Sequence, residues 1–415
     1  MRAVTSETTP GLGQRWLTPG VRGIGAASLL ADLGHEVPTA LLPSLLTTTL
    51  GAPASALGLI EGVADGLAGA ARLGGGALAD DPSRRRAVAV GGYTTTAVLS
   101  GLIGAATAAW QVGVLRAGAW AARGLRVPAR NALLADVVPA SAYGRAYGFE
   151  RAMDNLGAIG GPLLALGLVA LVGVRTAVLL SIIPGLGAAA AIVYAIGQIR
   201  RPAARPREPI RLRVRPVLAA GLGWLVAGVA AFEVGNVAAT LLILRASELL
   251  TPGHGERAAA SLALALYTGY NLAAAVVSVP AGRLADRRGA VRVLAGGVAP
   301  FLLAYAGFAA AGASLVVLAG CFVAAGVAIG CVETAEHAAV AAAAPVGLRG
   351  SAFGLLAAIQ SVGNLAASGV AGLLWTVASP QVAFAYLAGW MVVALVGLVT
   401  ARPGRGVDLG ARSKA

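Results

Sequence analysis

Long apolar runs of about 20 residues recur along the whole chain, and that is the length a helix needs to cross a bilayer. Charged residues make up only 12% of the 415 residues. Soluble globular proteins carry about 25%. The sequence therefore predicts a polytopic membrane protein and argues against a water-soluble fold.

The apolar runs predict an all-α membrane protein with twelve transmembrane helices. Prolines and arginines fill the segment 200–215 at the midpoint, which we interpret as a linker in contact with water and anionic lipid headgroups. The predicted domains are an N-terminal six-helix bundle (1–197), a basic cytoplasmic linker (198–216) and a C-terminal six-helix bundle with a short cytoplasmic tail (217–415). The predicted spans are 22–48, 54–79, 87–108, 111–136, 146–172, 174–197, 217–246, 258–282, 290–312, 314–342, 350–376 and 380–401.

The net charge of +14 comes almost entirely from arginine, and the arginines concentrate in alternate gaps between the spans. Loops rich in arginine and lysine stay in the cytoplasm. We therefore expect a multi-pass protein of the cell membrane with both termini in the cytoplasm. Few aromatic residues accompany the arginines and no nucleic-acid-binding motif is present, so nucleic acid is not an expected partner.

The two halves of the chain repeat each other at a constant offset. Asp80 and Asp286 lie 206 residues apart (286 − 80), and the same shift places Asp65 on Asn271. It also carries residues 139, 144, 148 and 157 onto their counterparts Pro345, Gly350, Gly354 and Gly363. The repeat predicts two pseudo-symmetric bundles, and transporters built in this way place the substrate site between them.

Two short charged segments at equivalent places resemble the G-x-x-x-D-(R/K)-x-G-R-(R/K) loops of the major facilitator superfamily. In the first copy, Asp81 and Ser83 stand where a basic residue and a glycine are usual. The matching residues of the two copies are Gly76, Asp80, Arg84 and Arg85, and Gly282, Asp286, Arg287 and Gly289. The resemblance implies the twelve-helix fold of this family, with Asp80 and Asp286 in a charge relay that holds the outward-facing state.

The fifth span resembles the G-x8-G-x3-G-P-x2-G-G pattern of proton-coupled exporters within the same family. Ala165 and Leu166 replace the last two glycines. The matching positions are Gly148, Gly157, Gly161 and Pro162. Small residues also let helices pack closely in lipid, so close packing is the plainer role of these glycines and export is what the resemblance adds.

Nine of the 18 acidic residues fall within predicted spans, where a charge costs several kcal/mol unless it is paired or faces a polar cavity. Three pairs lie four residues apart and so share a helix face. The acids are Asp32, Glu36, Glu61, Asp65, Glu150, Asp154, Glu233, Glu333 and Glu336. Together with the nearby basic residues His35, Arg116, Arg123 and His337 they form the candidate proton and substrate site. The alternative is a structural network in which arginines of the fourth span neutralise the acids.

The motifs favour a secondary transporter over an enzyme. The sequence shows no phosphate-binding glycine loop with its lysine, no catalytic constellation and no metal-binding pattern, so we expect neither a cofactor nor a metal. We predict proton-coupled export of a small organic molecule by alternating access, from a monomer in the lipid bilayer. The alternative is proton- or cation-coupled uptake of a small nutrient such as a sugar or a carboxylate.

Overall fold

The computed structural model describes residues 16–198 and 210–400. The regular secondary structure in these two ranges is entirely helical, which confirms the predicted fold class. Most of the predicted linker and both predicted cytoplasmic termini lie outside the described residues. The α-helices are α1 (Pro19–Ser44), α2 (Ala54–Ala79), α3 (Pro82–Leu102), α4 (Ala109–Val137), α5 (Tyr143–Leu180), α6 (Ile182–Gly197), α7 (Val214–Val217), α8 (Gly223–Gly235), α9 (Ala239–His254), α10 (Glu256–Arg288), α11 (Ala290–Ala310), α12 (Leu315–Ala343), α13 (Arg349–Val377) and α14 (Pro380–Thr400).

In the described residues, eight helical stretches are long and apolar enough to cross a membrane. Helices α1, α2 and α4 are not among them, because the acids and arginines of the candidate site lower their mean hydropathy. Each predicted span nevertheless overlaps a helix of the structure. The count of twelve crossings stays a prediction.

The seventh predicted span, 217–246, is not one helix. Helix α8 ends at Gly235, α9 begins at Ala239, and most of the predicted loop 247–257 is helical instead. Side chains of neighbouring helices satisfy the backbone at the break. The Val237 N–H donates to the Tyr305 hydroxyl at 3.3 Å, and the Ala238 N–H donates to Ser368 Oγ at 3.0 Å. Such partners allow irregular backbone at membrane depth.

The turn between α2 and α3 is shorter than predicted, since α3 begins at Pro82 and not near residue 87. Asp81 caps the helix: its Oδ1 accepts from Ser83 N at 2.9 Å and from Ser83 Oγ at 2.7 Å. The two departures from the family pattern therefore form a helix cap. In the second copy, Gly289 ends α10 with a φ of 93°, which a residue with a side chain rarely adopts.

Two helix pairs make the most extensive contacts between the N-terminal half (residues up to 198) and the C-terminal half (residues from 210), namely α2 with α13 and α5 with α10. Helix α5 also contacts α12, and α4 contacts α13. Glycines make the two most extensive contacts close. A Cβ on Gly76 would meet the backbone of Gly350, and a Cβ on Gly144 would meet the carbonyl oxygen of Gly282. The offset of 206 residues relates these contacts (76 to 282 and 144 to 350), so the two repeats interlock through equivalent positions.

Candidate functional site

Arginines cluster at one end of the helices, which we call the arginine-rich end. It carries Arg84, Arg85, Arg86, Arg145, Arg287, Arg288, Arg292 and Arg349. At this end Asp80, at the C-terminus of α2, binds the first turn of α13. Its Oδ1 accepts from Ser351 N at 2.8 Å and its Oδ2 accepts from Ser351 Oγ at 2.5 Å. Burial raises the pKa of Asp80, while these hydrogen bonds from Ser351 oppose the rise.

Asp286 makes the equivalent contact from α10 to the first turn of α5. Its Oδ1 accepts from Gly144 N at 2.7 Å, and its Oδ2 accepts from Arg145 N at 3.2 Å and from Arg145 Nε at 2.7 Å. A carboxylate at a helix N-terminus satisfies free N–H groups and complements the helix dipole. Both candidate gating aspartates therefore bind a helix of the opposite half.

A third contact at the arginine-rich end centres on Asp136, which the sequence analysis missed. Arg85 Nη1 donates to Asp136 Oδ2 at 2.6 Å, and Arg349 Nη1 donates to Asp136 Oδ1 at 3.2 Å. Arg85 also donates to the Val346 carbonyl at 3.0 Å. The other gating candidates lie nearby: Arg84 pairs with Asp81 at 3.4 Å, and Arg287 is exposed in the last turn of α10.

On α1, Asp32 and Glu36 hold the ring of His35 between them. Nδ1 lies 3.1 Å from Asp32 Oδ1, and Nε2 lies 3.2 Å from Glu36 Oε1. Arg123 of α4 donates to Asp32 at 3.4 Å. The structure thus brings together four of the predicted site residues.

Glu61 and Asp65 of α2 face α4. Arg116 Nη2 lies 3.0 Å from Glu61 Oε1, and Trp120 Nε1 donates to Asp65 Oδ1 at 2.9 Å. The Arg116 guanidinium stacks on the Trp120 ring, 3.4 Å from its centroid, and the His35 ring packs edge-on against Trp120 at 5.6 Å. Trp120 therefore connects the α1 and α2 clusters. Its place among the arginines of α4 was the one indication of this role in the sequence.

Glu150 and Asp154 of α5 are paired with two arginines. Glu150 Oε1 lies 2.7 Å from Arg130 Nη1, and its Oε2 accepts from Arg151 Nε at 2.7 Å. Asp154 Oδ2 lies 3.0 Å from Arg151 Nη1. Ser28 of α1 also donates to Glu150 at 2.7 Å. These acids belong to a buried charge network in the N-terminal half.

Two contacts join this network to α12 of the other half. Arg151 Nη1 lies 3.8 Å from Glu333 Oε2, and the rings of Tyr147 and His337 are 5.7 Å apart. His337 Nδ1 contacts the Glu333 carbonyl at 2.7 Å. Two of the three candidate residues of α12, Glu333 and His337, therefore contact α5.

Glu336 is fully buried, and the described residues place no arginine within ion-pair distance of it. Gln360 of α13 donates to Oε1, while Oε2 makes no hydrogen bond to the protein. The Nδ1 atom of His337 lies 3.6 Å from Oε1. Glu336 is therefore a fully buried acid whose charge has no arginine partner among the described residues.

Glu233 lies in the last turn of α8, directly before the helix break. Its Oε2 accepts from Asn236 Nδ2 at 3.0 Å, and the Asn236 carbonyl accepts from Asn364 Nδ2 at 2.8 Å. A Cβ on Gly363 would meet the Glu233 side chain, so this glycine sets the distance between α8 and α13. Broken helices often line substrate sites in transporters.

Arg72 of α2 crosses between the halves, and sequence analysis missed it. Its Nη1 donates to the Ala357 carbonyl at 2.9 Å and also to Ser361 Oγ, both on α13. A lone arginine in an apolar run was the available signal, but nothing in the sequence indicated its partners.

The glycines of the predicted antiporter-like pattern pack α5 against α1 and α10. A Cβ on Gly148 would meet the Ser278 backbone, one on Gly157 would meet Asp32 Cβ at 2.8 Å, and one on Gly161 would meet the Glu36 side chain. The pattern therefore positions the two acids of α1. Pro162 follows in the same helix and is exposed. Within the described ranges, no group of acidic residues, histidines and cysteines is arranged to hold a metal ion.

The sequence model of the Major Facilitator Superfamily matches residues 24–244 and 250–414. The chain belongs to this superfamily. It is therefore a multi-pass secondary transporter, as its sequence resemblance implied.

Two curated relatives are similar over most of their length. One is an uncharacterized MFS-type transporter of Methanocaldococcus jannaschii, 26% identical over 93% of this chain and 95% of the relative. The other is an uncharacterized protein of Mycobacterium tuberculosis, 30% identical over 85% of each chain. A similar solved structure is a bacterial homologue of the iron transporter ferroportin in the outward-facing state, with a TM-score of 0.74 and 16% identity over 92% of this chain and 98% of that one. At this identity the likeness shows the fold alone.

In this major facilitator superfamily member, the contacts between the halves concentrate towards the arginine-rich end. They run from Asp80 and Asp286 at the helix ends to Arg72 and Arg151, two or three turns farther into the bundle. Four of the acidic and basic side chains at mid-depth are about 30% exposed: Glu36 (27%), Glu61 (33%), Arg123 (29%) and Glu333 (29%). These four side chains of the candidate site are therefore partly exposed, and they lie on the same helices as the contacts between the halves.

Proposed function

We propose that this transporter exports a small organic molecule in exchange for protons. The observation that carries proton coupling is Glu336, a carboxyl group with no exposure that has, among the described residues, no arginine partner and one oxygen without a hydrogen bond. A carboxylate charge in such surroundings is costly, so the neutral form is favoured when the site is closed. Water that enters when the halves rearrange stabilises the charged form, and the proton leaves.

Glu233 supports the same assignment. It is 3% exposed and is held by the Asn236 amide without an arginine within ion-pair distance in the described part of the chain. By contrast, Glu61 and Glu150 in the N-terminal half have arginine partners at 3.0 Å and 2.7 Å. We therefore assign the proton to the C-terminal half, and structural and substrate-facing roles to the paired acids of the N-terminal half.

Mixed charge among the partly exposed candidate residues supports an organic cargo with polar groups. Glu61 and Arg123 in the N-terminal half and Glu333 in the C-terminal half are all partly exposed. Side chains of both signs can hydrogen-bond a molecule that has donors and acceptors.

The direction of transport is supported by the resemblance of α5 to the exporter pattern. Its exporter-like glycines place that helix against Asp32 and Glu36 on one side and against α10 of the other half on the other. A shift of α10 relative to α5 is thereby transmitted to the two acids of α1.

We further propose that the arginine-rich end faces the cytoplasm of the cell, in accord with the positive-inside rule. Closure at that end makes this conformation outward-facing. The bundle boundaries 1–197 and 217–415, the gating role of the two turn motifs and a monomeric state belong to the same proposal.

Everted membrane vesicles with an acidified interior test the direction. A panel of small organic molecules is added, and release of internal protons is followed with a fluorescent pH probe. Export by exchange predicts substrate-induced proton release that is absent from vesicles without the protein. Uptake by symport predicts no such release here, but co-entry of protons and substrate into right-side-out vesicles, and that result would replace export with the alternative.

A further inference from the structure

A small polar pocket lies inside the N-terminal half, between α1, α3, α4 and α6. It holds about 10 Å³, and its polar lining includes His35, Tyr93, Ser100 and Arg126. Helices of the N-terminal half alone form its walls. The candidate transport site described above does not use Tyr93, Ser100 or Arg126.

Four buried polar atoms of the residues that line this pocket make no hydrogen bond to the protein. They are Arg126 Nε, Arg126 Nη1, the Tyr93 hydroxyl and Ser100 Oγ. The three residues are 3%, 2% and 3% exposed. Unpaired buried donors are rare because each costs about 1 to 3 kcal/mol, so several around one cavity point to a bound partner.

Arg126 differs from the other arginines of α4 in whether a carboxylate lies close enough to balance its charge. Arg116, Arg123 and Arg130 each have a carboxylate within ion-pair distance. Arg126 has none among the described residues, and its guanidinium lies over the face of the Tyr93 ring, 3.9 Å from the centroid. A water molecule could satisfy the donors but would leave the charge uncompensated, whereas an anion would satisfy both.

The size of the pocket restricts the anion. A cavity of about 10 Å³ accommodates roughly one water-sized sphere. Gly34 and Gly185 are part of its wall, and a Cβ on Gly34 would lie 2.9 Å from the Gly185 backbone nitrogen. This space favours a monatomic ion over sulfate, phosphate or a carboxylate.

We propose that Arg126, Tyr93 and Ser100 form a binding site for one halide ion, such as chloride, inside the N-terminal bundle. The guanidinium supplies the charge and two N–H donors, and the two hydroxyl groups donate from α3. The ion joins α3 to α4 and balances a buried positive charge beside His35. This role does not depend on the direction of transport or on the cargo.

Thermal unfolding of the purified full-length protein in detergent tests the site without a substrate or a pH gradient. Potassium gluconate is replaced stepwise by potassium chloride or bromide at constant ionic strength and pH. A halide that binds the folded state predicts a saturable rise in Tm. The Ser100→Ala and Tyr93→Phe variants should each weaken the apparent halide affinity about tenfold, since each removes a hydrogen bond to a charged group.

Two matched variants control for the substitutions themselves. Ser181 lines the same pocket, but its hydroxyl already donates to the Val178 carbonyl at 2.7 Å. Tyr194 is 55% exposed. Ser181→Ala and Tyr194→Phe should therefore keep the wild-type halide response.

Arg126→Gln should abolish the halide response, and crystals grown with bromide should show its anomalous signal at Arg126. If Arg126→Gln does not fold, the Ser100 and Tyr93 variants decide the question alone. Equal Tm values in gluconate and chloride, or an unchanged halide response in both of those variants, would overturn the proposal and assign the pocket to water.

Discussion

The Asp286 carboxylate accepts a hydrogen bond from Gly144 N at 2.7 Å and thereby joins α10 of one half to α5 of the other. Asp80 makes the equivalent contact with Ser351 N at 2.8 Å. The contacts differ in charge, because Asp286 also accepts from the side chain of Arg145 at 2.7 Å. Because of this difference, we expect substitution of the two aspartates to lower transport by unequal amounts.

Asp286→Asn should lower transport more than Asp80→Asn. The amide cannot form the ion pair with Arg145, and a hydrogen bond to a charged group contributes about 1.5 to 3 kcal/mol. This shifts the equilibrium towards opening of the arginine-rich end by roughly tenfold or more. Transport rates and labelling of single cysteines at that end would measure the effect. Unchanged transport in Asp286→Asn, together with its loss in Asp80→Asn, would reverse this order.

Gly144→Ala should prevent closure of the arginine-rich end. Its new Cβ would meet the carbonyl oxygen of Gly282, and overpacking of this kind costs about 1 to 3 kcal/mol. Gly91→Ala is the matched control, since a Cβ there meets nothing within 4 Å. Cross-linking between α5 and α10 measures closure, and equal cross-linking in the two variants would contradict the predicted clash.

Arg72→Gln should weaken the contact between α2 and α13. The variant loses charged donors to the Ala357 carbonyl and to Ser361, so we expect a shift of about 1.5 to 3 kcal/mol against closure. Ser361→Ala should have a smaller effect in the same direction, and the exposed Arg257→Gln should have none. Double electron–electron resonance between labels on α2 and α13 would measure the distances. Identical distance distributions in Arg72→Gln and wild type would remove Arg72 from the gate.

Arg151→Gln should destabilise the folded protein by about 3 to 5 kcal/mol, because it removes one of the two arginines that neutralise the buried Glu150. The double variant Glu150→Gln/Arg151→Gln should be more stable than Arg151→Gln, because both charges are then absent. Arg288→Gln, at an exposed position, is the control. Thermal unfolding measures the stability of all three variants. If Arg151→Gln melts at the wild-type temperature, the ion pair between Glu150 and Arg151 contributes little to stability.

The parts of the fold that depend on patterns within a short stretch of sequence, or on the repeat, could be predicted from the sequence. Apolar length predicted the helices, and the offset of 206 residues predicted equivalent positions in the two halves. The helix break at Asn236 was not predicted, because its partners Tyr305 and Ser368 lie far away in sequence. A polar residue in an apolar run is a weak signal when its partners are unknown.

The candidate site was predictable as a set of residues but not as a set of contacts. The acid spacing placed Asp32 and Glu36 on one helix face, and the structure adds that His35 bridges them. Which arginine of α4 has an acidic partner depends on how the helices rotate against one another. For the same reason, neither the lack of an arginine beside Glu336 nor that of a carboxylate beside Arg126 could be read from the sequence.

The central claim is that Glu336 carries the transported proton, and two assays on reconstituted Glu336→Gln test it most directly. Proton-driven transport requires the carboxyl group to release its proton, whereas substrate exchange at equal pH does not. Once a substrate is identified, the account predicts that Glu336→Gln keeps exchange and loses proton-driven accumulation, while Glu256→Gln, at an exposed acid, keeps both. Full proton-driven accumulation by Glu336→Gln would contradict the account.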